Sequence, residues 1–182
     1  MTQILSTLTL LSNIALILGV MLWITFIALR KGKIFLVHPF VKFFSVNARI
    51  LAFTIALTAT LGSLYYSEIA HLEPCKLCWF QRILMYPQAI LLGLAILKND
   101  RTHITSYALT LSGIGAVIAI YHYYLQRGGS EIIPCSTVGY SVSCAKVFVM
   151  SYGYITIPFM SLSAFFLILA LMVLYKTSQS HK

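Results

Sequence analysis

Charged residues are scarce in this sequence of 182 residues. Asp, Glu, Lys and Arg make up 9% of the chain, against about 25% in an average soluble domain. Only four of them are acidic, while apolar residues reach 59%. Such a chain has too little polar surface to cover a soluble globule, so the composition excludes an ordinary soluble domain and favours a membrane protein.

Two common site signatures are also missing. The sequence contains no Gly-rich nucleotide loop, so neither a flavin nor a nicotinamide cofactor has an evident binding motif. Although the formal net charge is +9, the Lys and Arg residues form no stripe with interleaved aromatic residues. We therefore expect no nucleic-acid partner. The positive charge is better explained by membrane topology.

Five apolar stretches approach or exceed the roughly 20 residues that a helix needs to cross a membrane. They cover 4–29, 48–70, 79–97, 105–125 and 155–175. Eight of the thirteen Lys and Arg residues lie between the first two stretches, between the third and fourth, or after the last, and a ninth lies at the start of the second stretch. In chain order they are Arg30, Lys31, Lys33, Lys42, Arg49, Lys98, Arg101, Lys176 and Lys182. By the positive-inside rule these regions face the cytoplasm. The N-terminus and the segments 71–78 and 126–154 then lie on the outer side.

The first stretch is expected to be a retained helix. It lacks the basic start and the cleavage site of a signal peptide, and it ends in Arg30 and Lys31. Residues 34–46 are expected to form an amphipathic segment at the cytoplasmic face. We predict three parts: an N-terminal transmembrane helix with a basic cytoplasmic loop (1–47), a four-helix transmembrane domain (48–176) and a cytoplasmic tail (177–182).

All four cysteines fall in the two segments assigned to the outer side. Disulfides persist in oxidising compartments, so this placement suits a disulfide role. Cys75 and Cys78 form a CxxC motif where Pro74 precedes the third predicted helix. The positive end of a helix dipole stabilises a thiolate, which is the nucleophile in thiol–disulfide exchange.

Cys135 and Cys144 lie in a loop rich in Gly and Ser. A movable disulfide there suits a relay between a soluble partner and the CxxC pair. Two alternatives remain open. In the first, the four cysteines form inert disulfide bridges that hold the outer loops together. In the second, the cysteines bind a metal ion. A metal is disfavoured because the second pair lacks CxxC spacing and a nearby histidine.

Arg82 follows Cys78 by four residues, which places it one helical turn deeper on the same face. A charge inside the membrane boundary is costly and calls for a reason. In one interpretation the side chain extends to the lipid headgroups. In the other it stabilises the Cys78 thiolate and a reduced cofactor beside it.

An ordered set of motifs across about residues 48–175 resembles the DsbB/BdbC family of disulfide-forming membrane oxidoreductases, most closely its BdbC-like branch. The motifs are Ser67-Glu68-Ile69, PCKLCWFQRILMYP at 74–87, Tyr121-His122, Leu125-Gln126, Pro134-Cys135, Cys144 and GYITIPF at 153–159. The fold class implied is all-α, a polytopic four-helix DsbB-like bundle, here with one extra N-terminal transmembrane helix. The implied location is the bacterial cytoplasmic membrane, with the redox cysteines extracytoplasmic and the C-terminus cytoplasmic.

The resemblance also implies a mechanism. Cys135 would form the mixed disulfide with a DsbA/BdbD-like thioredoxin-fold partner, with Cys144 as its companion, and Cys75 and Cys78 would reoxidise that pair. Cys78 would contact a membrane quinone, either ubiquinone or menaquinone. Arg82 and His122 would complete the quinone site.

Three features depart from the family pattern. The first helix has no counterpart, Gln81 replaces an acidic residue found in some members, and the interval from Cys135 to Cys144 is short. A quinone-linked reductase resembling vitamin K epoxide reductases remains a second enzymatic interpretation. A membrane structural or metal-handling protein is the non-enzymatic one.

Overall fold

In a computed structural model of the chain, residues 2–28, 39–100, 103–132, 135 and 142–180 are described. Five long helices dominate: α1 (Thr2–Ala28), α2 (Pro39–Leu64), α3 (Lys76–Leu97), α4 (His103–Gln126) and α5 (Ile157–Ser180). A π-helical turn, Tyr65–Ile69, continues α2, and the two-residue strands β1 (Met150–Ser151) and β2 (Ile155–Thr156) form a hairpin before α5. The chain is therefore an all-α protein.

Helices α2 to α5 form a four-helix bundle. Each packs against two others in the cyclic order α2, α3, α4, α5, and α1 packs against the outside of α5. Within the described residues, four helices are long and apolar enough to cross a membrane, in spans Val41–Ile69, Lys76–Leu97, His103–Gln126 and Ile157–Gln179. The protein is thus a multi-pass membrane protein, whereas a membrane crossing by α1 stays a prediction.

Small and polar residues line the contacts between the helices of the bundle. Ala48, Ala52 and Ala56 repeat every four residues along α2 and are fully buried. Ser112 on α4 donates a 2.8 Å hydrogen bond to the buried Gln88 side chain on α3. Because lipid is as apolar as leucine, close backbone approach and such bonds hold membrane helices together.

The first helix of the bundle begins nine residues before the boundary expected at 48. Lys42 and Arg49 suggested a loop, but both lie within α2. A proline such as Pro39 is favoured in the first turn of a helix, and isolated charges end a membrane span without ending a helix. The part of the predicted amphipathic segment from residue 39 onward therefore belongs to α2, while 34–38 lie outside the described residues.

The end of the bundle near Arg49 lies opposite the end that carries the cysteines. Arg49 donates a 2.8 Å hydrogen bond to the carbonyl of Asp100 and lies over the Tyr175 ring. These contacts join α2, the connection between α3 and α4, and α5. Arg30, Lys31, Lys33, Arg101, Pro134 and Lys182, used in the sequence predictions, lie outside the described residues. The division of the chain at 47 and 176 stays a prediction.

Candidate active site

The CxxC motif caps the N-terminus of α3. Cys75 has an extended backbone (φ −71°, ψ 171°), and its sulfur accepts a 3.4 Å hydrogen bond from the Cys78 backbone N–H. A side chain at the N-cap position reaches the N–H three residues later. This spacing therefore brings both sulfurs to the helix N-terminus, where they lie 3.1 Å apart.

His122 on α4 lies against Cys75. Its Nε2 is 3.5 Å from the Cys75 sulfur, and its Nδ1 is 3.0 Å from the amide nitrogen of Gln81. His122 and Gln81 are both buried. When the Gln81 amide donates to Nδ1, the ring proton is assigned to Nε2, where it points at the sulfur. Gln81 thus orients His122 as a hydrogen-bond donor to Cys75.

These contacts favour a thiolate at Cys75. The pKa of Cys75 is lowered, chiefly because the Cys78 thiol donates a hydrogen bond to its sulfur. Burial opposes this effect, and His122 adds to it. Because a thiolate is the reactive form in disulfide exchange, these contacts activate the Cys75 sulfur.

Arg82 is held between α2 and α3. Its Nε donates a 2.9 Å hydrogen bond to the Ser63 hydroxyl, and a terminal nitrogen donates a 3.0 Å bond to the Ser63 carbonyl. The guanidinium also lies 5.3 Å from the ring centre of Trp79. Because a guanidinium has five N–H groups, these two bonds leave donors for a further acceptor.

The other cysteine pair lies next to the CxxC motif. Cys135 and Cys144 are joined by a disulfide, with 6.0 Å between their Cα atoms. Both are buried and belong to the same apolar cluster as Cys75, together with Leu77 and Leu125. All four sulfurs therefore meet at one end of the bundle.

A cavity of about 350 Å³ lies between α1, α2, α3 and α5. Cys78, Gln81 and Arg82 line one part of it. Tyr66, on the π-helical turn, also lines it, and its buried hydroxyl has no hydrogen-bond partner within the described residues. Cys78 thus faces both Cys75 and a cavity that carries a guanidinium and an unpaired phenol.

The structure brings together five of the six residues predicted from sequence: the four cysteines and His122. Arg82 lines the cavity beside Cys78. Of the described residues, those that line the cavity do not include His122, which contacts Cys75 instead. Its expected contact with a quinone stays a prediction.

Sequence reasoning missed the partners that orient these groups. The contact of Gln81 with His122 spans 41 residues of sequence, and that of Ser63 with Arg82 spans 19. Only the position of Gln81, one turn after Leu77, gave a signal that it shares the buried face of α3.

The sulfurs of Cys75 and Cys78 and a His122 nitrogen also lie within 4.8 Å of one another, the geometry of a partial metal site.

Comparison with known proteins gives a consistent family assignment. The family model described as "Disulfide bond formation protein DsbB" matches residues 45–175. Disulfide bond formation protein C of Bacillus subtilis (strain 168) is 46% identical over 131 residues, covering 71% of this chain and 92% of that protein.

Two further relatives carry similar names. The SPbeta prophage-derived disulfide bond formation protein B of Bacillus subtilis (strain 168) is 45% identical over 119 residues, covering 65% of this chain and 78% of that protein. A probable disulfide formation protein of Coxiella burnetii (strain CbuK_Q154) is 41% identical over 126 residues, covering 65% and 84% respectively. No solved structure was found to match. The matched region spans most of the chain and contains all four cysteines, so the protein belongs to the DsbB family of disulfide bond formation proteins.

Proposed function

We propose that this protein oxidises a DsbA-like thioredoxin-fold partner and passes the electrons to a membrane quinone. The observation that carries the proposal is the arrangement of the sulfurs. One disulfide and one dithiol share a buried cluster, and one sulfur of the dithiol, Cys78, lines a cavity beside Arg82. This is the order of contacts that electron transfer from the loop to the membrane requires.

The first step is exchange with the partner. A thiolate of the reduced partner attacks Cys135 and forms a mixed disulfide, and Cys144 leaves as a thiolate. The second thiol of the partner then attacks the mixed disulfide. The partner leaves with a disulfide, and Cys135 and Cys144 become a dithiol. Because the Cys135–Cys144 disulfide is buried, Cys135 must become exposed before the thiolate of the partner can reach it.

The second step is exchange between the two cysteine pairs. With Cys75 and Cys78 as a disulfide, the reduced loop pair attacks Cys75, which lies in the shared cluster. Cys78 leaves as a thiolate toward the cavity. When the loop disulfide has closed again, both electrons reside on the CxxC pair, where Cys78 and His122 stabilise the Cys75 thiolate.

The cavity fits a quinone. When bound, a quinone supplies an acceptor for two electrons and two protons. Its carbonyl oxygens are hydrogen-bond acceptors, and Arg82 and Tyr66 offer donors in the cavity wall. Ubiquinone and menaquinone share these oxygens, so both suit the site. Cys78 is the sulfur that lines this cavity and would react with the quinone, and Cys75 would close the new disulfide.

The proposed orientation in the bacterial cytoplasmic membrane puts the four cysteines on the extracytoplasmic side. Lys98 follows α3, and Arg49 and Lys176 also lie toward the opposite end of the bundle. The positive-inside rule assigns that end to the cytoplasm. The thioredoxin-fold partner then meets the loop from outside.

Trapping of a mixed disulfide tests the proposal. In Cys144→Ser, Cys135 lacks the residue that resolves a mixed disulfide, so incubation with an oxidised DsbA-like protein is expected to yield a covalent complex. The double variant Cys135→Ser/Cys144→Ser is the control and should yield none. An inert structural bridge or a metal site predicts no complex in either variant, and that result would exclude the relay.

A further inference from the structure

The proposed reaction does not use α1. This helix, Thr2–Ala28, lies entirely before the family match at residues 45–175. Its inward face is polar: Ser6 is fully buried and Thr9 is 9% exposed. Its outward face carries Ile4 and Leu11, each more than 60% exposed, and Leu8, 51% exposed, lies at the edge of that face, where it lines the cavity. Polar residues of membrane helices turn toward protein interiors, so this distribution indicates that α1 docks on the bundle.

The docking position is defined near the outer end of α2. The two terminal methyl carbons of Leu5 lie 3.4 Å from the place that a Cβ would occupy at Gly62. Gly62 precedes Ser63, which binds Arg82. The beginning of α1 therefore lies at the same end of the bundle as the CxxC motif, and α1 runs antiparallel to α2.

From this position α1 forms one wall of the cavity. Four of its residues line the cavity: Leu5, Leu8, Thr9 and Ser12. Opposite them, the lining residues of α2 extend from Ser63 to Thr54. The nine residue steps between these two ends correspond to about 14 Å along a helix axis. The cavity thus extends from Arg82 well below the outer end of the bundle.

The part of the cavity away from Arg82 offers few free hydrogen-bonding groups. Its hydroxyl groups bond to backbone carbonyls of their own helices at 2.7–3.0 Å: Thr9 to Leu5, Ser12 to Thr9, Thr58 to Thr54 and Ser163 to Phe159. Leu8, Ile55 and Leu167 lie among them. This surface presents mostly methyl and methylene groups and suits a hydrocarbon chain. The charged Arg82 end suits a polar ring.

We propose that α1 is the lipid-side wall of the quinone cavity and that Leu5, Leu8, Thr9 and Ser12 contact the isoprenoid tail of the quinone. This inference rests on the proposed quinone reaction. It gives the additional helix a role in selecting quinones by their tails, while Cys78 and Arg82 act on the ring.

Quinone kinetics with long-tailed and short-tailed analogues test the proposal. Leu8→Trp places a larger side chain in the tail region, and Leu11→Trp makes the same change on the outward face of α1. Leu8→Trp is expected to raise the KM for a long-tailed quinone by about tenfold and for a short-tailed analogue by about twofold or less. Leu11→Trp is expected to leave both values unchanged.

A second measurement separates this inference from the proposed function. Reduction of the loop disulfide by a reduced DsbA-like protein, measured without quinone, should proceed at the same rate in the unmodified protein and in Leu8→Trp. Equal KM changes for both quinones, or equal effects of Leu8→Trp and Leu11→Trp, would overturn the role of α1. If Leu8→Trp does not fold, Leu8→Ala replaces it; an unaltered ratio of the two KM values in that variant would likewise overturn the role. Failure of the unmodified protein to reduce any quinone would instead overturn the proposed function.

Discussion

Replacement of His122 by alanine removes one of the groups that stabilise the Cys75 thiolate. The imidazole Nε2 lies 3.5 Å from the Cys75 sulfur. A hydrogen bond to a charged group contributes about 1.5–3 kcal/mol, and one pKa unit corresponds to about 1.4 kcal/mol. His122→Ala should therefore raise the lowered pKa of Cys75 by about 1–2 units.

The same change shifts the reduction potential of the CxxC pair. A lowered thiol pKa stabilises the reduced pair at every pH above that pKa. At a pH above the pKa of Cys75 in both proteins, the full loss of stabilisation applies. For a two-electron couple about 1.4 kcal/mol corresponds to about 30 mV. The potential of the pair is thus expected to fall by about 30–60 mV.

Alkylation of the reduced CxxC pair as a function of pH measures the pKa directly. A Cys135→Ser/Cys144→Ser background leaves only Cys75 and Cys78 to react, and equilibration with glutathione gives the potential. His71→Ala is the matched control, because His71 is exposed in the segment before the motif. A reactivity midpoint in His122→Ala equal to that of the control would refute the role of His122.

Two further changes test the quinone site and the packing of the bundle. Arg82→Gln should raise the KM for a quinone by about 10–100-fold because a charged hydrogen-bond donor is lost, while the rate of loop reduction by the partner stays unchanged. Steady-state kinetics measure the KM, and a single-turnover assay measures the rate of loop reduction. An unchanged KM would count against a quinone site beside Arg82. Gly115→Ala should lower the Tm, because the new Cβ would lie 2.3 Å from a Phe165 ring carbon. Gly113→Ala is the control and should not lower the Tm, because a Cβ at Gly113 meets nothing within 4 Å. Equal Tm values for the two variants would contradict this packing.

The sequence was sufficient to predict the bundle because the properties involved are local. The length of the apolar stretches predicted the four bundle helices. The spacing of Cys75 and Cys78 predicted a pair of thiols at a helix N-terminus. Charge was a weaker guide to helix boundaries. Lys42 and Arg49 indicated a loop, but the backbone remains helical from Pro39, because a helix retains its internal hydrogen bonds after it leaves the hydrocarbon.

The contacts between helices were beyond sequence reasoning. That His122 contacts Cys75 depends on how α3 and α4 pack, since 47 residues separate them. The docking of α1 brings Leu5 against Gly62, a contact that follows only from the packing of the two helices. Hydrophobic periodicity gives the face of a helix that is buried but does not specify its neighbours.

The redox state of both cysteine pairs during one turnover reports the path of the electrons through the protein. Acid quenching, alkylation and peptide mass analysis report each pair separately. With a reduced DsbA-like protein and no quinone, we expect Cys135/Cys144 and then Cys75/Cys78 to become reduced. Addition of quinone should reoxidise Cys75/Cys78 and yield one quinol for each disulfide formed. If Cys75 and Cys78 keep one redox state while the partner is oxidised, the proposed electron path is contradicted.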